Sequence, residues 1–131
     1  MGFRISPGNP YNDMPDDDPA ASFGPLLRAV DGLGLAYVHL IDMSPAFDAR
    51  ALVKANWTGP VILNNNLKAD TARSALAAGA ATAVAFGRAF ISNPDLVERL
   101  RRGAALAKLD RTHLYGGDAL GYTDYPALNL A

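Results

Sequence analysis

The sequence predicts an α/β protein built on a parallel sheet, and three observations lead to that prediction. Strand-like and helix-like segments alternate four times, with strands beginning near residues 3, 35, 60 and 82. The clearest of these strands is a continuous apolar run, as expected for a strand covered on both faces. The chain has 131 residues, about half of the roughly 250 in a complete (β/α)₈ barrel. The residues alone leave two architectures open, a doubly wound sheet and part of a barrel.

The first strand-helix unit occupies the beginning of the chain. Residues 3–6 form a short apolar strand that ends at a Pro-Gly-Asn-Pro cluster. Asp18 suits the N-cap of the following helix, and Pro19 suits its first position. Gly32 and Gly34 end this helix. Its predicted buried face has helical spacing and consists of Phe23, Leu26, Leu27 and Val30.

The second unit begins with the apolar run over residues 35–41, which predicts a buried strand. A weaker helix is predicted over residues 46–56. Its expected buried side contains Phe47, Ala51 and Leu52.

The third unit has a strand over residues 60–63 that ends in three consecutive asparagines, and an Ala-rich helix over residues 69–78 that ends at Gly79. The fourth has a strand over residues 82–86, followed by Gly87 and Arg88.

The last helix begins after the Asn-Pro-Asp sequence at residues 93–95 and continues to Gly103. Its side chains expected to face inward are Leu96, Val97 and Leu100. Residues 104–131 are predicted to form an irregular tail of the same domain, which spans residues 1–131.

Composition excludes several classes of protein. Twelve basic and thirteen acidic residues give a net charge of −1, so nothing points to nucleic acid or to an anionic membrane surface. The absence of cysteine excludes disulfides and thiolate sites and suits the cytoplasm. The first residues lack the pattern of a signal peptide. The longest uncharged apolar stretch has 14 residues, fewer than the ~20 that a membrane helix requires.

Polar groups at the predicted strand ends indicate a phosphate site. Ligands of parallel α/β proteins bind at the carboxyl ends of the strands. Asn65 and Asn66 follow the third strand, where asparagine tolerates a left-handed backbone that turns amides toward an anion. Gly87 and Arg88 follow the fourth strand, and arginine can bind phosphate through two parallel hydrogen bonds. In the alternative interpretation, the asparagines are only a turn and Arg88 pairs with a surface acid.

Arg4 is a charge within an apolar strand, where it requires a partner. Asp42, at the end of the neighbouring strand, is one candidate, and an anionic or electron-rich ligand is the other. His39 is expected to be a hydrogen-bonded core histidine. The aspartates between Asp13 and Asp18 lack the spacing of a calcium loop. We predict neither a catalytic set nor a metal site from these residues.

Several segments together resemble the Old Yellow Enzyme family of NADH:flavin oxidoreductases. They are GFRISP at 2–7, NDM at 12–14, GLAYVH at 34–39, VAFGR at 84–88, ISNPDL at 91–96, YGG at 115–117 and GYTDYP at 121–126. The similarity covers essentially the whole chain and corresponds to strands five to eight of an FMN-binding (β/α)₈ TIM barrel.

The resemblance implies a function and a set of cofactor contacts. Family members are ene-reductases, in which NAD(P)H reduces FMN and the flavin passes a hydride to an activated alkene. By resemblance, Arg4 lies at the pyrimidine edge of the flavin, and Gly87 and Arg88 bind its phosphate. Tyr115 lines the mouth of the substrate site. The asparagines at 65–66 stand where the family usually has Gly-Gly or Gly-Asn, also at the phosphate.

The resemblance also implies what the matched half lacks. In the family, the residues that hold the substrate carbonyl and donate the proton belong to the first four strands, so no catalytic residue is assigned to this chain. The isolated chain is expected to be inactive without that first half. Two alternatives remain: a non-catalytic half-barrel that self-associates and binds FMN or phosphate, and an inactive truncated remnant.

Overall fold

A four-stranded parallel sheet organises the first part of the chain. The computed structural model describes residues 1–11, 13, 16–64, 66–115 and 118–128, and the chain divides into two units, Met1–Ala85 and Phe86–Ala131. The strands of the first unit lie in chain order and every neighbouring pair is parallel. They are β1 (Phe3–Ile5), β2 (Val38–Ile41), β3 (Val61–Asn64) and β4 (Ala83–Ala85). The predicted parallel α/β sheet is therefore confirmed.

A helix follows each of the first three strands. They are α1 (Pro19–Asp31), α2 (Ala49–Asn56) and α3 (Ala69–Ala77). The Asp18 carboxylate accepts the N–H of Ala21 at 3.0 Å, which confirms the predicted cap of α1. Asp48 caps α2 in the same way through the N–H of Ala51, at 2.9 Å. Each cap satisfies one of the amides that a helix leaves unpaired at its beginning.

Two elements begin three residues later than predicted. The second strand begins at Val38 rather than at residue 35. Before it, the N–H of Ala36 donates to the carbonyl oxygen of Met1, and the carbonyl oxygen of Tyr37 accepts the N–H of Phe3. These bonds lie outside the regular ladder of the two strands. Helix α2 begins at Ala49 rather than at residue 46, since Asp48 supplies the capping carboxylate.

The predicted buried faces of α1 and α2 are wrong in part. In α1, Leu27 is fully buried but Leu26 is 38% exposed. The reason is Gly24, which is buried where a Cβ would lie 3.7 Å from Leu52 of α2. Because Gly24 and Leu27 face inward, the helical spacing turns Leu26 outward. In α2, the residues Ala49 and Val53 are buried and Ala51 is exposed.

The two faces of the sheet differ in character. One face packs on the helices through buried Ile5, Leu40 and Leu63. Register places Arg4 beside His39, His39 beside Ile62, and Ile62 beside Ala83. Because side chains alternate along a strand, these residues share the opposite face. We call this set the Arg4 row, and both its outer members, Arg4 and Ala83, are exposed.

The second unit contains two short helices and an irregular tail. Helix α4 (Arg88–Ser92) was not predicted, because five residues are too few for a periodic pattern. Helix α5 (Leu96–Arg102) ends at Gly103, which has a left-handed φ of 65°. Leu96 is buried, but Val97 is 57% exposed, contrary to the prediction. The described part of residues 104–128 has neither helix nor strand, as expected.

Polar side chains fasten this tail to α5. Arg99 is buried and donates to the Asp95 carboxylate at 2.7 Å and to the carbonyl oxygens of Ala105 and Pro126 at 2.8 and 2.9 Å. Asn93 is fully buried and accepts the N–H of Ala107 at 2.7 Å. These bonds replace the strand and helix pairing that the tail lacks, and they explain why α5 turns Arg99 inward instead of Val97. Within the described ranges, no helix is long and apolar enough to cross a bilayer.

We expect Arg99→Met to destabilise the second unit by about 3 kcal/mol, because it removes a buried charged donor and leaves Asp95 without its cation. Hydrogen exchange of the Ala104 and Ala107 amides measures the effect. The matched control is Arg101→Met, whose side chain is 69% exposed and should cost less than about 0.5 kcal/mol. Equal protection in the two variants would contradict this assignment.

Candidate functional site

The loops after β2 and β3 border a cavity at the carboxyl edge of the sheet. Its volume is about 410 Å³, and Asp42, Arg50, Asn66 and Thr71 are among its lining residues. Asp42 accepts a hydrogen bond from Nε of Arg50 at 2.6 Å. This ion pair gives Asp42 a partner other than Arg4, which the sequence had left as one possibility. The cavity lies at the edge where parallel α/β proteins bind ligands.

Asn66 has the backbone conformation that a phosphate-type turn requires. Its φ is 49°, in the left-handed region that asparagine tolerates better than most residues. Its side chain is exposed. Asn65, the other predicted contact in this turn, lies outside the described residues.

The beginning of α3 is less suited to an anion than expected. The Asp70 carboxylate accepts the N–H of Thr71 at 2.9 Å, so one amide of the first turn is occupied. Its negative charge also lies at the positive end of the helix dipole, where it opposes a bound phosphate. The side-chain oxygen of Thr71 accepts a hydrogen bond from the N–H of Lys68 at 2.9 Å.

Gly87 and Arg88 begin the part of the chain after β4. The φ of Gly87 is −96°, a value that other residues adopt, so the backbone does not require glycine here. A Cβ at this position would meet no atom within 4 Å, which leaves space for a ligand to approach the backbone. Arg88 is exposed, and within the residues that the structure describes it has no ion pair, contrary to the alternative of a surface acid.

Arg4 and His39 lie side by side in the Arg4 row. The guanidinium of Arg4 is exposed and has no hydrogen bond or ion pair in the described part of the chain. His39 is half-buried, and its Nε2 atom is excluded from solvent without a partner among the described residues. An unpaired buried polar atom costs roughly 1–3 kcal/mol. The expectation of a hydrogen-bonded core histidine is therefore wrong at this atom.

The protonation of His39 follows from its surroundings. Burial lowers the pKa of His39 from its ordinary value, and the positive charge of Arg4 lowers it further. The imidazole is consequently neutral at pH 7, and Nε2 is able to accept a hydrogen bond in one of its two tautomers. The sequence does not reveal that this atom is unpaired, although it places His39 on the strand that follows the strand of Arg4.

Tyr115 lies in the tail of the second unit and is 89% exposed. The segment before it is organised by Asp110, whose backbone N–H donates to the hydroxyl oxygen of Tyr125 at 2.8 Å. The hydroxyl of Thr112 donates to the Asp110 carboxylate at 2.6 Å, and Nδ1 of His113 contacts it at 2.7 Å. The Thr112 hydroxyl and then His113 lower the pKa of Asp110 to about 2.

The predicted site residues thus fall into two groups. Arg4 and Asn66 belong to the first unit, where β2 separates β1 from the end of β3. Adjacent strands lie about 4.8 Å apart, so β1 and β3 are roughly 10 Å apart, and Asn66 follows Ile62, the β3 residue level with Arg4, by four positions. Gly87, Arg88 and Tyr115 belong to the second unit.

Parallel α/β sheets bind their ligands at the carboxyl ends of the strands, and the left-handed turn at Asn66 lies at that edge. Residues 1–107 match the model of the NADH:flavin oxidoreductase / NADH oxidase family. The chain belongs to this family. Family members depend on FMN, with NADH or NADPH as the electron donor.

Individual relatives agree with this assignment. The chain is 35% identical to the flavin oxidoreductase hxnT of Emericella nidulans over 156 residues, which cover 96% of the chain and 40% of the relative. It is 31% identical to 12-oxophytodienoate reductase 2 of Arabidopsis thaliana over 137 residues, which cover 98% and 37%.

Solved structures are similar as well. Morphinone reductase superposes with a TM-score of 0.88 at 39% identity, covering 98% of this chain and 36% of that one. The old yellow enzyme from Trypanosoma cruzi superposes with a TM-score of 0.90 at 37% identity, covering 98% and 35%. The chain therefore spans well under half of the length of the proteins that it matches.

We expect Thr112→Val to raise the pKa of Asp110 from about 2 toward the ordinary value, because the first hydrogen bond to the carboxylate is lost. Carboxyl ¹³C chemical shifts against pH measure it. Since the folded pKa is depressed, this carboxylate stabilises the tail above about pH 4 and the stabilisation is lost as the pH falls through 2. Thr123→Val, in the same tail, is the control and should leave the titration unchanged. A pKa that stays near 2 in the Thr112 variant would rule out the hydroxyl as its main cause.

Proposed function

We propose that this chain forms strands five to eight of an FMN-binding barrel and carries the phosphate end of the flavin site of an ene-reductase. The single observation that carries the proposal is the strand order. Four parallel strands follow one another around the sheet in chain order, as the strands of a barrel do, whereas a doubly wound sheet reverses its order at a switch point.

The extent of the structural similarity supports the half-barrel. The match with morphinone reductase covers 98% of this chain but only 36% of morphinone reductase. In the described sheet, β1 and β4 each pair on one side only. In a closed barrel these two edges would pair with strands one to four, which the remaining part of the barrel would supply.

The residues present fit the cofactor in three respects. The space beside Gly87 would admit a phosphate that a Cβ would obstruct. Arg88 is exposed and uncommitted within the described part of the chain, so its guanidinium would bind two phosphate oxygens in parallel. Asn66 already has the left-handed turn conformation, and Asn65 is proposed to complete this loop.

The remaining roles concern the ring and the substrate. When bound, FMN supplies a two-electron carrier between NAD(P)H and an activated alkene. Arg4 would stabilise negative charge at the pyrimidine edge of the ring, and Tyr115 would line the substrate mouth. We assign no proton donor to this chain, and we propose that the other half of the barrel supplies the groups that hold and protonate the substrate. We also propose a cytoplasmic location, which the lack of cysteine supports.

A second candidate function follows from the uncovered edges of the sheet. Unpaired strands tend to pair with another chain, so two copies would self-associate through β1 and β4 and bind FMN without turnover. Sedimentation of the isolated chain distinguishes the two functions, because only the self-associating module requires a dimer.

We expect Gly87→Ala to leave the stability of the chain unchanged, since the backbone conformation is permitted and no atom lies nearby. The same change should weaken FMN binding about tenfold or more, because the methyl group occupies the space of the phosphate. FMN titration followed by flavin fluorescence measures the affinity. Gly32→Ala is a matched control, with open space and a negative φ of −83°. Unchanged FMN affinity in the Gly87 variant would remove this position from the site.

Arg88→Met should weaken FMN binding by roughly tenfold to a hundredfold and leave the binding of riboflavin, which has no phosphate, unchanged. Equal losses for the two ligands would mean that Arg88 does not bind the phosphate.

Complementation tests the proposed half-barrel directly. The chain is co-expressed with the part of morphinone reductase that it does not match, strands one to four. We expect the purified pair to hold FMN and to oxidise NADH or NADPH, and each half alone to show no turnover. A pair that assembles but binds no flavin would overturn the proposed function.

A further inference from the structure

His39 and Arg4 have complementary hydrogen-bonding needs. The Nε2 atom of His39 is excluded from solvent and lacks a partner among the described residues. Arg4 has a planar guanidinium with five N–H donors, and none of them is used within the part of the chain that the structure describes. The two residues are register partners on β1 and β2, so their side chains leave the sheet on the same face from strands about 4.8 Å apart.

The surroundings make Arg4 the natural donor to His39. On the other side of His39, the Arg4 row continues with Ile62 and Ala83, which carry no hydrogen-bonding side chain. The next position on β3 along this face is Asn64. Beyond the end of β2, Asp42 is paired with Arg50. Arg4 is thus the charged group of the sheet that faces the imidazole, and its field already lowers the pKa of His39.

We propose that Arg4 donates one hydrogen bond to Nε2 of His39 and directs its other N–H groups at a bound ligand, so that His39 is a positioning residue for the Arg4 charge. The planar fork of a guanidinium then fixes the direction of the remaining donors. The ligand part of the inference rests on the proposed function, in which the ring of FMN is seated beside Arg4.

The neutral state of His39 is essential to this arrangement. A protonated imidazole has no acceptor atom and would place a second positive charge beside Arg4. At pH values between its lowered pKa and the ordinary value of 6.5, His39 is neutral in the folded chain, whereas the histidine of an unfolded chain is mostly charged. Acidification therefore loosens the pair only below the usual histidine range.

The pairing is tested first without any ligand. The ¹⁵N signals of the His39 imidazole are measured in the full chain and in Arg4→Met. The pairing predicts that Nε2 shows the shift of a hydrogen-bonded acceptor, that Arg4→Met returns it to the value of a free nitrogen, and that the pKa of His39 then rises. His113→Leu removes the other histidine and identifies the signals. An Nε2 signal that is the same with and without Arg4 would overturn the pairing.

The positioning role is tested with riboflavin and FMN on the full chain assembled with its complementing half. His39→Leu removes the acceptor and should lower the affinity for both flavins about tenfold. His39→Gln places an amide oxygen near the position of Nε2 and should keep the affinity within about threefold of that of the unmodified chain. In an Arg4→Met background, His39→Leu should have no further effect. Equal affinities for the Leu and Gln variants would overturn the positioning role.

The two proposals fail differently. An assembly that binds neither flavin, while Nε2 still responds to Arg4→Met, overturns the proposed function and with it the ligand role of His39, but the pair itself stands. Normal flavin binding with an unresponsive Nε2 overturns the pair and leaves the flavin site intact.

Discussion

The alternation of side chains along four parallel strands is the constraint on which the rest of the first unit depends. Because Ile5, Leu40 and Leu63 must face the helices to bury their apolar surface, the residue before each of them must face the other way. Arg4, His39 and Ile62 are those residues. A one-residue slip of β1 would bury the Arg4 charge among leucines. The register that builds the core therefore also presents the Arg4 row.

The helix layer depends on contacts between α1 and α2. Helices α1 and α2 pack together at Gly24, where an added methyl group would meet Leu52 at an ordinary contact distance of 3.7 Å. The hydrogen bond from Arg28 to the side-chain oxygen of Asn56 lies beside Gly24. The bonds from Thr58 to the Asp31 carboxylate join the ends of the same two segments. A buried contact and a few polar bonds therefore join the two helices, and the apolar core joins them to the sheet.

Local chemistry explains which parts of the fold could be predicted from the sequence. The order of strands and helices, the cap at Asp18 and the helix end at Gly103 follow from residues close in sequence, and all were found. The burial of Gly24 and Arg99 could not be predicted, because each depends on a partner from a distant segment. Helix α4 was missed because it is too short to show a period.

The candidate site shows the same division. The left-handed turn at Asn66 is a local property and was visible in the sequence. The unpaired Nε2 of His39 depends on what neighbouring strands bring to it, and no spacing within one segment reveals such an atom. The occupied first turn of α3 was also missed, since Asp70 looks like an ordinary surface acid until its bond to Thr71 is seen.

These features determine which groups would hold the two ends of a flavin. Helix α4 has only five residues, so its dipole is small, and the dipole of α3 is opposed by Asp70. Little of the phosphate charge would then be balanced by helix ends, and most of that task falls to the guanidinium of Arg88. In the first unit, Arg4 is exposed on the edge strand β1 and has no ion pair among the described residues. Under the proposed function, the phosphate depends on Arg88 and the ring on Arg4, so loss of either arginine would weaken the binding of a different part of the ligand.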